Sequence, residues 1–419
     1  MLIFNKNEKA KKLLEEGLQK IAQGDAQGGL ERLNQAVQAA PKFAPALLAR
    51  ARLLAEAGKT DLAHTDIELV IELEPQVAGH FFFRGLCRRV LNQVEAAIAD
   101  FEQALRLDSR LNEAAFELSA LFVRQERYQE ALPFLDRALE MQPDDLSRRL
   151  TRARVLIALK KAERALEDVE RVARAQPHSV EACRLGAQAL LGCRRYPEAV
   201  ALCKEAMRLL EANPRADNKD EVSQVSLELA QALDRAGQAK EALAAATRAV
   251  TLNPQNNDAL FFRAAMLQSQ GRVPEAMEDY AELLHRIPGW VPVLINRSGC
   301  YLTRGHASRA QADTEAVLKL VPDHPAALFN RARANVHLGD WMAAGADLTG
   351  LLERFPEDAE VWLERARVWN LAGRPEECAD DRYEAVKRVP GLQAEPLDPV
   401  KGGRFVTEIG RLRSFCAPA

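Results

Sequence analysis

Prolines recur along this chain at a fixed spacing of 34 residues. A first series comprises Pro41, Pro75, Pro143 and Pro177, with Ser109 at the missing step, and a second comprises Pro254, Pro288, Pro322, Pro356 and Pro390. The two series are 77 residues apart, which is two periods plus nine. A period of this length is typical of a solenoid built from one small unit in tandem. The spacing predicts eleven repeats, which begin at residues 10, 44, 78, 112, 146, 180, 223, 257, 291, 325 and 359.

Each repeat contains two apolar stripes of helical spacing, separated by a break near its fifteenth position. The break is a glycine in seven repeats: Gly24, Gly58, Gly237, Gly271, Gly305, Gly339 and Gly373. Glycine ends a helix readily because it tolerates a left-handed backbone, and a proline near position 32 prevents the second helix from continuing. Each repeat is therefore predicted to be a helical hairpin, and the fold class to be all-α.

Two positions of the repeat hold small residues throughout. Position 8 is Gly17, Ala51, Gly85, Ser119, Ala153, Ala187, Ala230, Ala264, Ser298, Ala332 and Ala366, and position 20 is Gly29, Ala63, Ala97, Ala131, Ala165, Ala199, Ala242, Ala276, Ala310, Ala344 and Cys378. Small residues are required where two helix axes approach closely. Bulkier residues at position 24, such as Phe101 and Tyr280, are expected to fill the space between hairpins.

This pattern resembles the tetratricopeptide repeat (TPR) family over residues 10–392. The resemblance implies a right-handed superhelical solenoid of tandem helix-turn-helix hairpins, in which the first helices line a concave groove. The repeat register divides the chain into an N-terminal lead (1–9), repeats one to six (10–213), a polar insertion loop (214–222), repeats seven to eleven (223–392) and a C-terminal tail (393–419). In the tail, Phe405, Ile409 and Leu412 recur at helical spacing. They predict a helix that caps the stack, with a partner-docking or membrane-surface helix as the alternative.

Position 7 carries an arginine in seven repeats, and position 23 of the same seven repeats is an aspartate. The pairs are Arg50/Asp66, Arg84/Asp100, Arg152/Asp168, Arg263/Asp279, Arg297/Asp313, Arg331/Asp347 and Arg365/Asp381. The first repeat reverses the signs with Glu16 and Arg32, and the other three repeats carry no charge at either position. This agreement predicts a salt bridge between the two helices of each hairpin. The alternative, a cationic ladder that binds phosphate, does not explain the paired aspartates.

Composition argues against several classes of protein. The formal net charge is −3, so no overall positive field attracts nucleic acid or an anionic membrane. No apolar run is long enough to span a membrane, and the amino terminus lacks a signal-peptide pattern. The seven cysteines include no CxxC pair and indicate reduced thiols in a cytoplasmic protein. No catalytic, phosphate-binding or metal-ligand motif is present, so we expect neither an enzyme nor a cofactor.

In the TPR family, positions 2, 5, 9 and 12 of the first helix face the groove. Position 5 is apolar in ten of the eleven repeats and position 9 includes four arginines, so the resemblance implies an apolar groove with scattered positive charge. The candidate groove residues are Phe82, Phe116, Leu150, Phe261, Ile295, Phe329, Arg52, Arg154, Arg333 and Arg367, with Asn296 and Asn330 at position 6. A matching partner would be an extended segment or amphipathic helix with apolar and some acidic residues. The alternative is that position 5 mostly packs against the neighbouring repeat.

Three functions follow from this interpretation. The first is a non-enzymatic scaffold that holds a protein segment in the groove, and the second is a chaperone-like assembly or secretion factor that shields a client. The third, nucleic-acid binding by the arginines of position 9, would require a steep salt dependence. The family's carboxylate clamp for chaperone tails is absent, because the residues that surround Asn296 and Asn330 do not match its pattern.

Overall fold

The computed structural model describes residues 2–212 and 218–389, with side chains from Lys6 onward. Every regular element in these residues is an α-helix, which confirms the predicted all-α class. The helices form two compact units that divide between Arg195 and Tyr196.

The first unit contains five helical hairpins and one further helix. Its helices are α1 (Leu2–Ala22), α2 (Ala26–Ala39), α3 (Ala44–Glu56), α4 (Thr60–Leu73), α5 (Ala78–Val90), α6 (Val94–Leu107), α7 (Asn112–Arg124), α8 (Tyr128–Met141), α9 (Leu146–Ala158), α10 (Ala162–Ala175) and α11 (Val180–Gly192). Within this unit each helix packs against the next one along the chain, so each hairpin is in contact with the hairpin that follows it.

The second unit begins with a helix that packs against the first of five hairpins. Its helices are α12 (Tyr196–Ala212), α13 (Lys219–Arg235), α14 (Ala239–Leu252), α15 (Asn257–Ser269), α16 (Val273–Arg286), α17 (Val291–Thr303), α18 (Ala307–Leu320), α19 (Pro325–Leu338), α20 (Trp341–Arg354), α21 (Ala359–Leu371) and α22 (Pro375–Arg388).

The helix boundaries follow the 34-residue register. Nine first helices begin at the first residue of a predicted repeat: α3, α5, α7, α9, α11, α15, α17, α19 and α21. Two places differ from the expectation. Helix α1 begins at Leu2, within the lead, and α13 begins at Lys219, so residues 219–222 are helical rather than part of the expected loop. Asp220 and Glu221 lie in the first turn of α13, where a negative charge stabilises the helix dipole.

Two predicted features fall outside the described residues. The predicted capping helix, with Phe405, Ile409 and Leu412, belongs to residues 390–419, and the start of the insertion belongs to residues 213–217. The last described helix, α22, is itself polar. It buries only Cys378, Asp381 and Ala385, and a charged residue, Arg382, occupies position 24, where Phe101 and Tyr280 are buried in earlier hairpins.

The residue at position 15 of the repeat, in the turn after the first helix, adopts a left-handed backbone in all eleven repeats. Seven of these residues are the predicted glycines, with φ between 70° and 87°. The other four are Asn92, Glu126, Lys160 and Arg194, with φ of 59° to 60°. The turn therefore keeps one geometry, and four consecutive repeats adopt it without glycine.

The core of each unit lies between successive hairpins. The small residues at positions 8 and 20 are buried, as Ala51, Ala63 and Ala97 illustrate with no exposed surface. Large side chains at position 24 fill the space above them, and Phe101 and Tyr280 are also fully buried. Full burial of one such side chain contributes about 1.5–3 kcal/mol. The repeat spacing thus places the same core residue in hairpin after hairpin.

Candidate interaction surface

The arginines of position 7 are bound to the aspartates of position 23, as predicted. All seven pairs form, with shortest nitrogen–oxygen distances of 2.6 to 2.7 Å: Arg50–Asp66, Arg84–Asp100, Arg152–Asp168, Arg263–Asp279, Arg297–Asp313, Arg331–Asp347 and Arg365–Asp381. The reversed pair, Glu16 and Arg32, lies at 3.5 Å. In each of the seven, Nε and Nη2 of the arginine both donate to the carboxylate.

These pairs are structural rather than a surface for ligands. The aspartate side chains are at most 9% exposed, and the arginine side chains 15% to 30%. The hydrogen bonds to Asp313 raise the pKa of Arg297 above its ordinary value. Three arginines also reach the preceding hairpin, where Asn34, Asp136 and Thr349 accept a hydrogen bond from Arg50, Arg152 and Arg365 respectively. The arginines of position 7 therefore link the two helices of a hairpin, and three of them also link neighbouring hairpins.

The described cysteines are free thiols, and five of the six are buried. Burial raises the pKa of Cys300 to about 12 and that of Cys87 to about 11, so both stay protonated near neutral pH. In the part of the chain that the structure describes, no group of three His, Cys, Asp or Glu side chains could hold a metal ion. A search of the same residues finds no helix that is both long and apolar enough to cross the lipid bilayer.

One open cleft of about 440 Å³ lies beside α8, α9 and α10. Its lining is dominated by charged side chains that already bind one another. Asp136 accepts hydrogen bonds from Arg152 and Arg164, and Asp168 accepts them from Arg149 and Arg152. These ion pairs join neighbouring hairpins and satisfy the charges at the base of the cleft.

The first unit carries a continuous row of half-buried apolar side chains on its first helices. We call this row the apolar strip, and it consists of Phe82 and Leu86 on α5, Phe116 and Val123 on α7, and Leu150 and Ile157 on α9. All six pack against one hydrophobic core, which spans these three hairpins. Three of them, Phe82, Phe116 and Leu150, were predicted from position 5. Val123 and Ile157 occupy position 12, which the resemblance also places in the groove, so the repeat pattern already indicated them. Leu86, at position 9, was not indicated, and its apolar character at a groove position is the signal that could have found it.

Several strip residues also pack internally. The Phe82 ring lies 5.8 Å from the buried Phe101 ring, and the Arg148 guanidinium covers the Phe116 ring at 5.0 Å. In these three hairpins, position 5 therefore has a double role: part of the side chain supports the core, and part remains exposed.

The charges beside the strip are mostly neutralised. Arg89 pairs with Glu117 at 3.3 Å, and Arg154 pairs with Glu181 at 2.5 Å. Arg52 is exposed and has no acidic group within ion-pair distance among the described residues. The sequence predicted Arg52 and Arg154 as cations of the groove, but only Arg52 stays unpaired. The strip is thus bordered by less net positive charge than expected.

In the second unit, the predicted groove residues do not form such a row. Ile295 and Asn330 are both only 7% exposed. Asn330 donates hydrogen bonds to Ser298 Oγ and to the carbonyl of Ile295, so both residues stabilise the contact between α17 and α19. Their assignment as surface residues of a groove needs correction, because neighbouring helices cover them. Asn296 remains partly exposed, and its backbone carbonyl accepts a hydrogen bond from the side-chain amide of Gln268.

The remaining predicted residues of the second unit are partly covered. Trp290 stacks on Phe261 with ring centroids 5.5 Å apart, and Phe329 packs against the core of the last two hairpins. Arg367 pairs with Glu364, and Arg333 is half-buried. The arginines of position 9 are therefore not a free cationic row.

Family models match much of this chain. A model described as "Tetratricopeptide repeat" matches residues 84–145, 227–289, 301–349 and 336–391, which together cover just over half of the chain. A second model, "Anaphase-promoting complex, cyclosome, subunit 3", matches residues 124–206.

Three solved structures, of chains that differ in length, have a similar backbone fold. The APC/C hetero-tetramer Cut9-Hcn1 is 13% identical, with 91% of this chain and 94% of that chain covered and a TM-score of 0.48. Yeast Tom70 is 12% identical, with 91% and 92% covered and a TM-score of 0.43. YrrB, "a TPR protein with an unusual peptide-binding site", is 20% identical over 43% of this chain and 93% of that chain, with a TM-score of 0.41.

The family model, the 34-residue register and the run of helical hairpins agree with one another. The chain belongs to the tetratricopeptide repeat family.

Proposed function

We propose that this chain is a non-enzymatic scaffold that binds a segment of a partner protein on the apolar strip. The observation that carries the proposal is the strip itself: six half-buried apolar side chains on three consecutive first helices, above one shared core. Contiguous apolar surface often marks an interaction site, whereas scattered apolar residues do not. The free thiols support a cytoplasmic location for the scaffold.

The strip favours a partner with apolar anchors rather than a highly acidic one. Full burial of a side chain such as Phe or Leu yields about 1.5–3 kcal/mol, and the strip side chains, which are already mostly buried, have only the smaller part of this left to gain. Several anchors are therefore needed to offset the cost of ordering the partner segment. Arg52 can bind one acidic residue, whereas Arg89 and Arg154 are already paired. An amphipathic helix or extended segment with one acidic residue near an end of its apolar face fits best.

Site-specific photo-crosslinking tests the proposal. A benzophenone amino acid placed at Leu86 or Val123 should crosslink a defined protein in lysate from the source organism. The matched control is Leu62 on α4, which is apolar and 55% exposed but lies outside the strip. Capture of one protein, through one segment, at Leu86 and Val123 but not at Leu62 supports the proposal. Equal capture at all three positions contradicts it, and capture of many unrelated sequences would indicate the client-shielding function instead.

The affinity of the captured segment then gives a quantitative check. Val123→Asp and Ile157→Asp should each weaken binding by about tenfold, since each removes an apolar contact and adds a charge that must be desolvated. Leu62→Asp should leave the affinity unchanged. Fluorescence anisotropy with a labelled peptide measures all three, and the helical circular dichroism of each variant shows that it is folded. Unchanged affinity in both strip variants would overturn the assignment of this surface.

A further inference from the structure

Charge is distributed unevenly between two neighbouring hairpins of the first unit. Residues 112–145 contain eight acidic and three basic residues, whereas residues 146–179 contain nine basic and four acidic ones. Some of this excess is neutralised where Asp136 binds Arg152 at 2.8 Å and Arg164 at 3.2 Å. The turn between α9 and α10 keeps its positive charge.

Elsewhere, an arginine that directly precedes a second helix is paired with a glutamate three residues later. Arg127 binds Glu130 at 2.5 Å, Arg272 binds Glu275 at 2.5 Å, and Arg374 binds Glu377. The α9–α10 turn departs from this pattern. Lys161 occupies the position of the arginine, and Arg164 stands where the glutamate would be. Lys160, the residue before Lys161, is also exposed, so this turn presents two lysines together.

The turn that follows α11 adds a third basic side chain. A methyl group on Gly192 would lie 2.6 Å from the Cβ atom of Ala162, which is closer than two carbon atoms can approach. Glycine at this position therefore lets the end of α11 lie directly against the start of α10. Arg194, two residues further on, is exposed beside the α9–α10 turn.

We call Lys160, Lys161 and Arg194 the basic edge. None of the three side chains has a hydrogen bond or an ion pair to any residue that the structure describes. Burial and the Glu163 carboxylate raise the pKa of the nearby Cys193, while Arg195 lowers it. Glu163 and Arg195 thus act in opposite directions on the same thiol.

Two of the edge residues occupy strained backbone positions. Lys160 and Arg194 have φ of 59° and 60°, where seven repeats have glycine. A side chain in this conformation is strained, because its Cβ atom comes close to the following carbonyl oxygen. Asn92 and Glu126 share the conformation, so strain alone selects no site. What distinguishes this pair is that two long basic side chains without a partner lie on turns whose helices meet at Gly192 and Ala162.

We propose that the basic edge binds a short acidic segment of a partner protein, as a contact separate from the apolar strip. Two or three carboxylates match its three charges. A nucleic acid fits less well, because duplex DNA carries a charge every ~1.7 Å of its axis and would continue past the edge. It would then meet the α7–α8 turn of the adjoining hairpin, where the exposed carboxylate of Glu126 repels it.

Carbodiimide crosslinking of the full chain to a hexaglutamate peptide tests the proposal. The reagent joins a carboxylate to a lysine in contact with it, and mass spectrometry identifies which lysine reacted. Lys59 is the matched control, since it has the same place before α4 as Lys161 has before α10, but no basic neighbour in the turn. We expect at least fivefold more crosslink at Lys161 than at Lys59, and we expect this excess to disappear at about 0.3 M NaCl, where exposed charges are screened.

The double substitution Lys160→Gly with Arg194→Gly separates binding from folding. It should raise the melting temperature, because it relieves two strained residues, and it should reduce the crosslink at Lys161 to the level of Lys59. Equal crosslinking of Lys161 and Lys59 in the unaltered chain would overturn the proposal. So would a crosslink at Lys161 that survives the double substitution, or stronger competition by single-stranded DNA than by free hexaglutamate at equal charge. None of these outcomes depends on whether the apolar strip binds a partner.

Discussion

The neighbouring hairpins α5/α6 and α7/α8 join their two helices by different chemistry at the same pair of positions. In α5/α6, Arg84 donates to the buried carboxylate of Asp100 at 2.6 Å. In α7/α8, the equivalent residues are Leu118, which is fully buried, and Phe134, which packs against the same apolar core. The helix boundaries keep the same register in both. An ion pair and an apolar pair can thus each join the two helices of a hairpin at positions 7 and 23. The recurrence of arginine at position 7 is explained by this structural role, without a ligand.

Breaking one ion pair should have the largest effect on stability. Arg297→Ala leaves the Asp313 carboxylate, whose side chain is 8% exposed, without its partner. We expect a loss of about 3 kcal/mol, the lower end for a buried pair, because 21% of the Arg297 side chain is exposed. The midpoint of urea unfolding, followed by helical circular dichroism, measures the loss. Arg235→Ala, at an exposed position of the same unit, is the control and should shift the midpoint little.

Replacing the whole pair tests whether the two chemistries are interchangeable. Arg297→Leu with Asp313→Leu copies the apolar solution of α7/α8 and should recover most of the stability lost in Arg297→Ala. A double variant as unstable as the single one would show that the hairpins differ in more than this pair.

The turns of the same two hairpins give a smaller, opposite effect. Glu126 and Asn92 both adopt a left-handed backbone, at φ of 59°. Glu126→Gly should stabilise the chain by about 1 kcal/mol, since it removes the steric cost of the side chain. Asn92→Gly should gain less, because asparagine tolerates this conformation. The difference between the two urea midpoints is the measurement, and an equal gain would contradict this explanation.

The reversed pair of the first hairpin should matter least. Glu16 and Arg32 lie 3.5 Å apart, and their side chains are 38% and 40% exposed. An exposed pair contributes about 0–1 kcal/mol, so Glu16→Ala should move the urea midpoint far less than Arg297→Ala does. A comparable loss in both variants would mean that burial of the aspartates does not set the strength of the pairs.

The sequence allowed the hairpins and their ion pairs to be predicted because both depend on local or periodic information. Glycine and proline mark where a helix must end, and a 34-residue register aligns equivalent residues without any structure. The aspartates could be assigned to their arginines because the two positions change together from repeat to repeat, in sign as well as in presence. The four turns without glycine fall at the same position of the repeat, so the 34-residue spacing located them even though no glycine marks the end of the helix there.

The candidate surface was less predictable, since exposure depends on side chains from other repeats. Phe261 is covered by Trp290, Phe116 is covered by Arg148, and Asn330 is buried against Ser298. The covering residues occupy positions that vary between repeats, so no periodic rule identifies them. The pairing of Arg154 with Glu181 likewise joins two hairpins, and neither residue belongs to the Arg/Asp pattern that the sequence revealed.

The amino-acid sequence by itself determined the hairpin, its length, its small-residue contacts and the ion pair that joins its two helices. These features are repeated, and each requires only residues within one repeat or the next. Only the tertiary structure decided which first-helix side chains remain exposed, that the apolar strip lies on α5, α7 and α9, and that three basic residues meet at one edge. The physical reason is that accessibility and charge neutralisation are set by every neighbour in space, while a repeat pattern describes each position only along the chain.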